Sequence, residues 1–389
     1  SIDKIQKTLE ASLTGESRPA VDVNLIVSQV QREIYDGITS LELERTLIMV
    51  VRSMIERDPA YDQLAAALQL TVNYKNVFDD PSVSLVSANF DSVYRTTFVS
   101  AVKRMVELKM LDERMLTFDL DVLAAALRPE RDRLLKYMGV STLADRYFIS
   151  DRSTKVIHEV PQIFYMRIAM GIALNETDNR EEWVVKFYEM LSSLRYVPGT
   201  PTLFHAGTRT PQLSNCYLNT VEDDLEHIFK VYGDNAQMSK WAGGIGTDWS
   251  HLRGTGALIK KAGIHSQGVI PFLKIANDVT VAINRSGRRR GATAVYLETW
   301  HYDIEEFLEL RKNTGDERRR THDMNTANWI PDLFMKRVRE DGQWTLFSPD
   351  EVPDLHQIYG RAFEDAYVQY EKMADAGNIK LFKRMKAAD

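Results

Sequence analysis

Apolar residues recur at helical spacing through the first part of the chain: Ile5, Leu9 and Leu13, then Ile26, Val30 and Ile34. Asp36-Gly37 marks a turn, and Ser40 is the candidate N-cap of a helix that opens on Leu41-Glu42-Leu43-Glu44. Asp58-Pro59-Ala60-Tyr61 reads as a break followed by a further helix. Residues 75–190 continue as charged, mostly helical sequence, with a soft boundary near Asp79-Asp80-Pro81. After about residue 195 the texture changes. Pro198-Gly199-Thr200-Pro201-Thr202 reads as a loop and Asn215-Cys216-Tyr217-Leu218-Asn219 as a short strand. Leu225, Ile228, Phe229, Tyr232 and Ala236 share one face of an amphipathic helix, which Gly243-Gly244-Ile245-Gly246 interrupts. Val269–Ile283 is a second such helix, and Thr293–Leu297 and Trp344–Phe347 are strands with a helix at Ile304–Leu310 between them. Strands alternating with helices over residues 195–389 predict an α/β architecture behind a helical N-terminal region. No internal repeat or low-complexity tract interrupts this plan.

Composition narrows the classes. The 389 residues carry a formal charge of −6, with 44% hydrophobic and 27% charged content, as expected of an ordinary folded protein of two to three domains. No apolar run approaches the ~20 residues a membrane span needs, and Ser1–Ile5 shows no apolar segment of a secretory leader. A single cysteine excludes an internal disulfide and a CxxC zinc site and fits a reducing cytoplasm. The net negative charge argues against nucleic acid as the partner.

Four segments could carry chemistry. A lone cysteine is most often a small buried hydrophobe, but Cys216 follows a loop of Gly, Thr and Pro whose amides and hydroxyls could hold a polyanion. A thiol on a pocket wall suits redox or nucleophilic work, although a disulfide reductant needs a second cysteine. Asn284–Ala292 sets three arginines between glycines and joins a helix to a strand. It is either a solvated basic turn or a flexible loop that lays guanidinium groups over a phosphate or a base. The glycines at 243–246 lack the strand-to-helix context of a dinucleotide fingerprint. Asp223-Asp224 is most simply a helix N-cap, and a carboxylate there could also accept hydrogen bonds from a ribose. His301 and His322 show no metal-ligand spacing and read as structural; no metal site is expected.

Together these segments resemble the large, catalytic subunit of ribonucleotide reductase. The motifs are Pro198–Phe204, Leu213–Leu218, Lys240–Gly246, Gly287–Ala292, Tyr296–His301, Asp303–Gly315 and Thr321–Asp332. The resemblance runs through nearly the whole chain, and the wording of the later motifs is similar to class I enzymes. It implies residues 1–72 as a partial ATP-cone-like module, 73–190 as a helical domain, and 191–389 as the first half of a ten-stranded α/β barrel. It implies Cys216 as one half of a redox-active thiol pair, with Thr200, Asn215 and Gly244 at substrate-contacting positions. Asp223 falls where a carboxylate holds the ribose of a regulatory deoxynucleoside triphosphate, with Arg253, Ile259 and Lys260 in the same specificity site. Arg285, Ser286, Gly287, Arg288, Arg290 and Gly291 belong to the specificity loop, and Arg289 matches its substrate-contacting arginine. Lys4 and Ser40 match nucleotide-contacting and capping positions of an activity site.

The departures are informative. Arg285-Ser286-Gly287 stands where many relatives have Gln-Gly-Gly, and arginine only donates where glutamine also accepts. Asn215 replaces a common serine. Glu44 stands where a histidine is common, and a carboxylate beside a triphosphate repels it, which argues against ATP or dATP binding by this module. The radical-bearing cysteine motif Asn-x-Cys-x-Glu, a Tyr-Tyr pair and a CxxC tail are all absent from this sequence. The resemblance therefore implies an N-terminal portion, ending at about the middle of the family's barrel. Its function would be reduction of ribonucleotides to deoxyribonucleotides by thiyl-radical chemistry, with a second polypeptide supplying the missing cysteines. The implied partners are that C-terminal large-subunit polypeptide, a small subunit carrying a metal-radical cofactor, a second copy packed through helices 225–240 and 267–283, and thioredoxin or glutaredoxin. Nucleotide substrates and dNTP or ATP effectors complete the set, and no cofactor is bound covalently. Two alternatives are a fragment of an adenosylcobalamin-dependent class II reductase and a non-catalytic dNTP-binding regulatory module.

Overall fold

The computed structural model describes residues 2–13, 18–83, 87–151, 153–241, 243–260, 262–283 and 292–389. The chain divides into two compact units, Ser1–Leu213 and Ser214–Asp389.

The first unit is helical, and each helix has a readable start. Asp22 caps Val23–Glu33 by accepting from the Leu25 amide at 3.0 Å, and Ile26 and Val30 are buried on its inner face. Ser40 is not the cap of the next helix. Thr39 is, in a reciprocal capping box with Glu42, and Ser40 is the first helical residue of Ser40–Arg52. Asp58 caps Pro59–Phe78, where Pro59 sits in the first turn that needs no proline amide. That helix ends on Asp79 in the left-handed region (φ 53°). Helix Pro161–Ile172 is buried along nearly its whole length. One continuous apolar core runs from Ile5 to Ala206. Its polar centre is Asp132, which accepts from Tyr74 Oη (2.5 Å), Tyr94 Oη (2.9 Å) and Gln162 Nε2 (2.8 Å).

The second unit is α/β. Its strands are β1 (Cys216–Thr220), β2 (Gly244–Asp248), β3 (Thr255–Ile259), β4 (Ile264–Gln267), β5 (Thr293–Glu298), β6 (Asn325–Trp329), β7 (Gln343–Phe347) and β8 (Phe382–Lys386). β1, β2, β5 and β6 form one parallel sheet in that order, and β3–β4 and β7–β8 are antiparallel pairs. Parallel neighbours need crossovers; helix Leu225–Lys240 joins β1 to β2, and helix Ile270–Ala282 precedes β5. The sheet is open, with β1 and β6 as its edges. This is the expected helical region followed by a parallel α/β domain, and the four strands do not close a barrel.

Two local expectations change. The glycines at 243–246 do not merely break a helix: Gly244–Asp248 is a central strand. A Cβ on Gly246 would lie 2.5 Å from Leu218 Cδ2 and 3.1 Å from the Tyr296 ring, so glycine here makes room for side chains of both neighbouring strands. The Pro198–Thr202 loop gives way to a short helix, Thr200–His205, with Gly199 as its cap.

Candidate functional site

Strand alternation decides what the parallel sheet presents. The register pairs Cys216 with Gly244, Leu218 with Gly246, Thr220 with Asp248, Asp248 with Tyr296 and Glu298 with Trp329, so these side chains share one face. The intervening residues Ile245, Val295 and Leu297 are buried, and Val295 and Leu297 share a core with Ile228, Val231, Leu273 and Ala276 of the crossover helices. The first face is open. Leu218 is 79% exposed and Trp329 62%, with Tyr296 also exposed. Cys216, at the start of the edge strand β1, lies on this face and is exposed. A Cβ on Gly244 would stand 3.4 Å from its sulfur, so the glycine keeps the floor beside the thiol low. Asn215 is exposed just before it, and its carbonyl accepts from the Gly244 amide at 2.7 Å, anchoring β1 to β2.

The C-terminal strand ends floor a cleft of about 430 Å³, walled by Leu218, Tyr296, Trp329 and Tyr359. Its lining includes a charge cluster. His356 donates through Nε2 to Asp248 Oδ2 (2.9 Å) and through Nδ1 to Glu298 Oε1. Glu298 Oε2 takes the Trp300 indole N–H, and Asp248 Oδ1 takes the Ser250 amide (3.0 Å) and hydroxyl (2.7 Å). The Ser250 hydroxyl oxygen accepts the Glu298 amide at 3.0 Å. Burial of the ring disfavours the imidazolium, but the bonds to Asp248 and Glu298 outweigh it and push the His356 pKa up to about 10. Burial likewise works against the Asp248 carboxylate, and the bonds from His356 and Ser250 reverse that and hold its pKa below the usual value. The His251 ring stands perpendicular to His356 at 4.2 Å and bonds Glu222 at 3.0 Å.

A second cluster lies at the start of helix Leu225–Lys240. The two aspartates divide the work: Asp224 caps the helix through the His227 amide (2.9 Å), and Asp223 binds Arg253 Nε at 2.8 Å. Burial raises the Asp223 pKa, with Arg253 opposing the rise. Arg253 also donates to the Leu258 carbonyl at 3.3 Å, and Ile259 ends β3 with Lys260 exposed in the turn after it. Of the four residues that the resemblance groups, Asp223 and Arg253 are paired, and Ile259 and Lys260 directly follow Leu258, whose carbonyl Arg253 meets. Asp303 holds this hairpin, accepting the Thr255 and Val269 amides at 2.9 Å each. His301 is fully buried and neutral in role: Nε2 bonds the Leu252 carbonyl (2.7 Å), Nδ1 accepts the Asp303 amide (3.0 Å), and burial lowers its pKa.

The remaining residues fall elsewhere. Thr200 begins the short helix Thr200–His205 in the first unit. The specificity-loop positions Arg285, Ser286, Gly287, Arg288, Arg289, Arg290 and Gly291 lie outside the described residues. Lys4 is in helix Ile2–Ser12, Ser40 is exposed, and Glu44 pairs with Lys75 at 2.5 Å. Asp248, Glu298, His356 and Asp303 were not singled out in the sequence. Glu298 and Asp303 lay inside conspicuous motifs, but His356 had no local signal, because its partners are on distant strands. Among the described residues no group of three or more His, Cys, Asp or Glu could hold a metal ion, and no helix is long and apolar enough to cross a membrane.

Residues 214–389 match the family described as "Ribonucleotide reductase, barrel domain", and residues 133–211 match "Ribonucleotide reductase, all-alpha domain". The chain belongs to the ribonucleotide reductase large-subunit family. Similar relatives carry the matching names. The ribonucleoside-diphosphate reductase subunit alpha of Chlamydia muridarum is 50% identical over 95% of this chain and 35% of its own length. The subunit alpha of Helicobacter pylori is 41% identical over 95% of this chain and 45% of its own. The large subunit of Arabidopsis thaliana is 34% identical over 97% of this chain and 45% of its own. The chain thus spans about a third to a half of the ribonucleotide reductase subunits it matches. The boundary between the two family matches coincides with the boundary between the two compact units.

Proposed function

We propose that this chain forms the opening part of a class I ribonucleotide reductase large subunit, in which Cys216 is one of the two thiols that reduce a ribonucleoside diphosphate. The observation that carries the reading is the exposed Cys216 on the open face of a parallel sheet, beside a glycine that leaves its sulfur accessible. Two thiols joining into a disulfide release two electrons and two protons, so one cysteine is half of the reductant, and the second belongs to sequence outside this chain. The exposed apolar residues of the same face, and two unpaired sheet edges, supply the surface on which that sequence would complete the barrel. Thioredoxin or glutaredoxin would then restore the dithiol. The metal-radical cofactor is assigned to a separate small subunit.

Thr200, Asn215, Gly244 and Arg289 are assigned to the substrate, and Asp223, Arg253, Ile259 and Lys260 to a deoxynucleoside triphosphate effector. Arg285–Gly291 would link the two. Leu225 and Phe229, with Ile275 and Val281 on the adjoining helix, are exposed and suit a helix bundle between two copies. Residues 1–72 remain assigned as a partial ATP-cone.

The test is Cys216→Ser in the reductase assembled with the rest of the large subunit and a small subunit. Turnover supported by thioredoxin or dithiothreitol is expected to disappear; undiminished turnover refutes the assignment. Finding that the chain copurifies with a polypeptide bearing Asn-x-Cys-x-Glu and a tyrosine pair would identify the source of the missing thiols.

A further inference from the structure

We propose that Arg167 is a positioning residue that sets the placement of the Thr200-bearing segment from the opposite end of its helix. This rests on the assignment of Thr200 to the substrate. Arg167 and Glu159 have no exposed side-chain surface, and Arg167 Nε meets Glu159 Oε1 at 2.6 Å. The rest of the guanidinium reaches further: Nη1 donates to the Ala206 carbonyl at 2.7 Å, and Nη2 to the Leu203 carbonyl at 3.2 Å and Glu159 Oε2 at 3.3 Å. Those two carbonyls close helix Thr200–His205, where a helix has acceptors without partners of its own. Glu159 Oε2 also accepts the Ile149 amide at 2.7 Å, so the carboxylate is fixed independently of the arginine.

The backbone beside these bonds has no slack. A Cβ on Gly171, in the same helix as Arg167, would lie 2.1 Å from the Gly207 nitrogen. Gly207 itself takes a positive φ of 77°, where a side chain would also strike Met115. On its other side the segment is tied by the Thr202 hydroxyl to the Leu213 carbonyl (2.9 Å) and by stacking of Phe204 on Tyr147 at 4.6 Å. A six-residue helix is only about 9 Å long, so a shift of its carbonyl end carries over to Thr200 almost undiminished. A buried ion pair adds little net stability against an apolar replacement of similar shape. What an apolar pair lacks is the planar fork that serves the carboxylate and both carbonyls at once.

The informative variant is therefore the double change Glu159→Gln with Arg167→Met. The glutamine oxygen still accepts from Ile149 and no charge is stranded, while the Leu203 and Ala206 carbonyls lose their donor and the glutamine NH2 faces the methionine in place of the guanidinium. Arg167→Lys is the companion, keeping the charge without the fork. Hydrogen exchange of the Thr200 amide and of amides 202–208 in the intact chain is expected to accelerate about tenfold or more in the double variant, and less in Arg167→Lys. In the assembled reductase, KM for a ribonucleoside diphosphate is expected to rise on the order of tenfold with kcat changed about threefold or less, and Arg167→Lys to recover part of the loss. Unchanged exchange in both variants overturns the positioning role. Unchanged KM overturns it too if Thr200→Ala raises KM. If Thr200→Ala itself leaves KM unchanged while exchange accelerates, the assignment of Thr200 fails and the placement of the segment by Arg167 stands.

Discussion

Replacing His356 by glutamine removes the one cation between Asp248 and Glu298. Both ring N–H groups are engaged, and only the imidazolium has two donors. Its pKa rises from 6.5 to about 10, which at about 1.4 kcal/mol per pH unit corresponds to roughly 5 kcal/mol. Glutamine keeps one amide donor for the two carboxylates, so the expected loss is about 3–4 kcal/mol at pH 7. The sign of the pH dependence follows from the direction of the shift. A raised histidine pKa gives stability that is complete below about 6.5 and is lost as pH climbs through about 10. Between pH 7 and 9 the folded state holds a proton that the unfolded chain has released. The unfolding free energy should then fall by about 1.4 kcal/mol per pH unit more steeply in the parent chain than in His356→Gln. Urea titrations at pH 7, 8 and 9, read by tryptophan fluorescence, measure this directly, because Trp249, Trp300 and Trp344 are fully buried in the same unit. Parallel pH dependences in the two proteins would refute the charge assignment, whatever the absolute loss.

Three further outcomes are expected. Asp132 is a fully buried acid without a cation, and burial, only partly countered by its three hydrogen bonds, raises its pKa to about 7. The neutral form is favoured on folding, so the helical unit should lose up to about 4 kcal/mol as pH rises from 4 to 7, and Asp132→Asn should flatten that loss in urea melts followed by circular dichroism. Thr39→Ala should cost about 1 kcal/mol and Ser40→Ala a few tenths at most, because only Thr39 closes the capping box; equal losses in thermal melts would contradict the cap. Asp223→Asn should weaken binding of a deoxynucleoside triphosphate about tenfold in calorimetry, since it removes a ribose acceptor and releases Arg253; unaltered affinity would remove Asp223 from the effector site.

Much of the architecture is legible in the sequence, for local reasons. The face shared by Leu225, Ile228, Tyr232 and Ala236 announces a helix because 3.6-residue periodicity is a property of neighbours along the chain, and Val269–Ile283 was placed to within a residue at each end. Cys216 on a short strand was also legible from the local residue pattern, whereas the grouping of Asp223 with Arg253 rested on the family resemblance alone. The strand Gly244–Asp248 was hidden because its glycines, which by themselves suggest a turn, answer to Leu218 and Tyr296 on neighbouring strands. β6 was hidden for the same kind of reason: Asn325–Trp329 has no apolar alternation, and one of its faces is left open.

Local sequence determined the helices and the kind of chemistry available, a single thiol, paired acidic residues and an arginine-rich loop. Only the tertiary structure decided which side of the sheet the thiol shares with Asp248 and Glu298, and that a histidine from far along the chain is held charged between them. The physical reason is that periodicity and capping act within a few residues. The ionisation of His356 and the reach of Arg167 depend on groups that meet only when distant segments pack and exclude water.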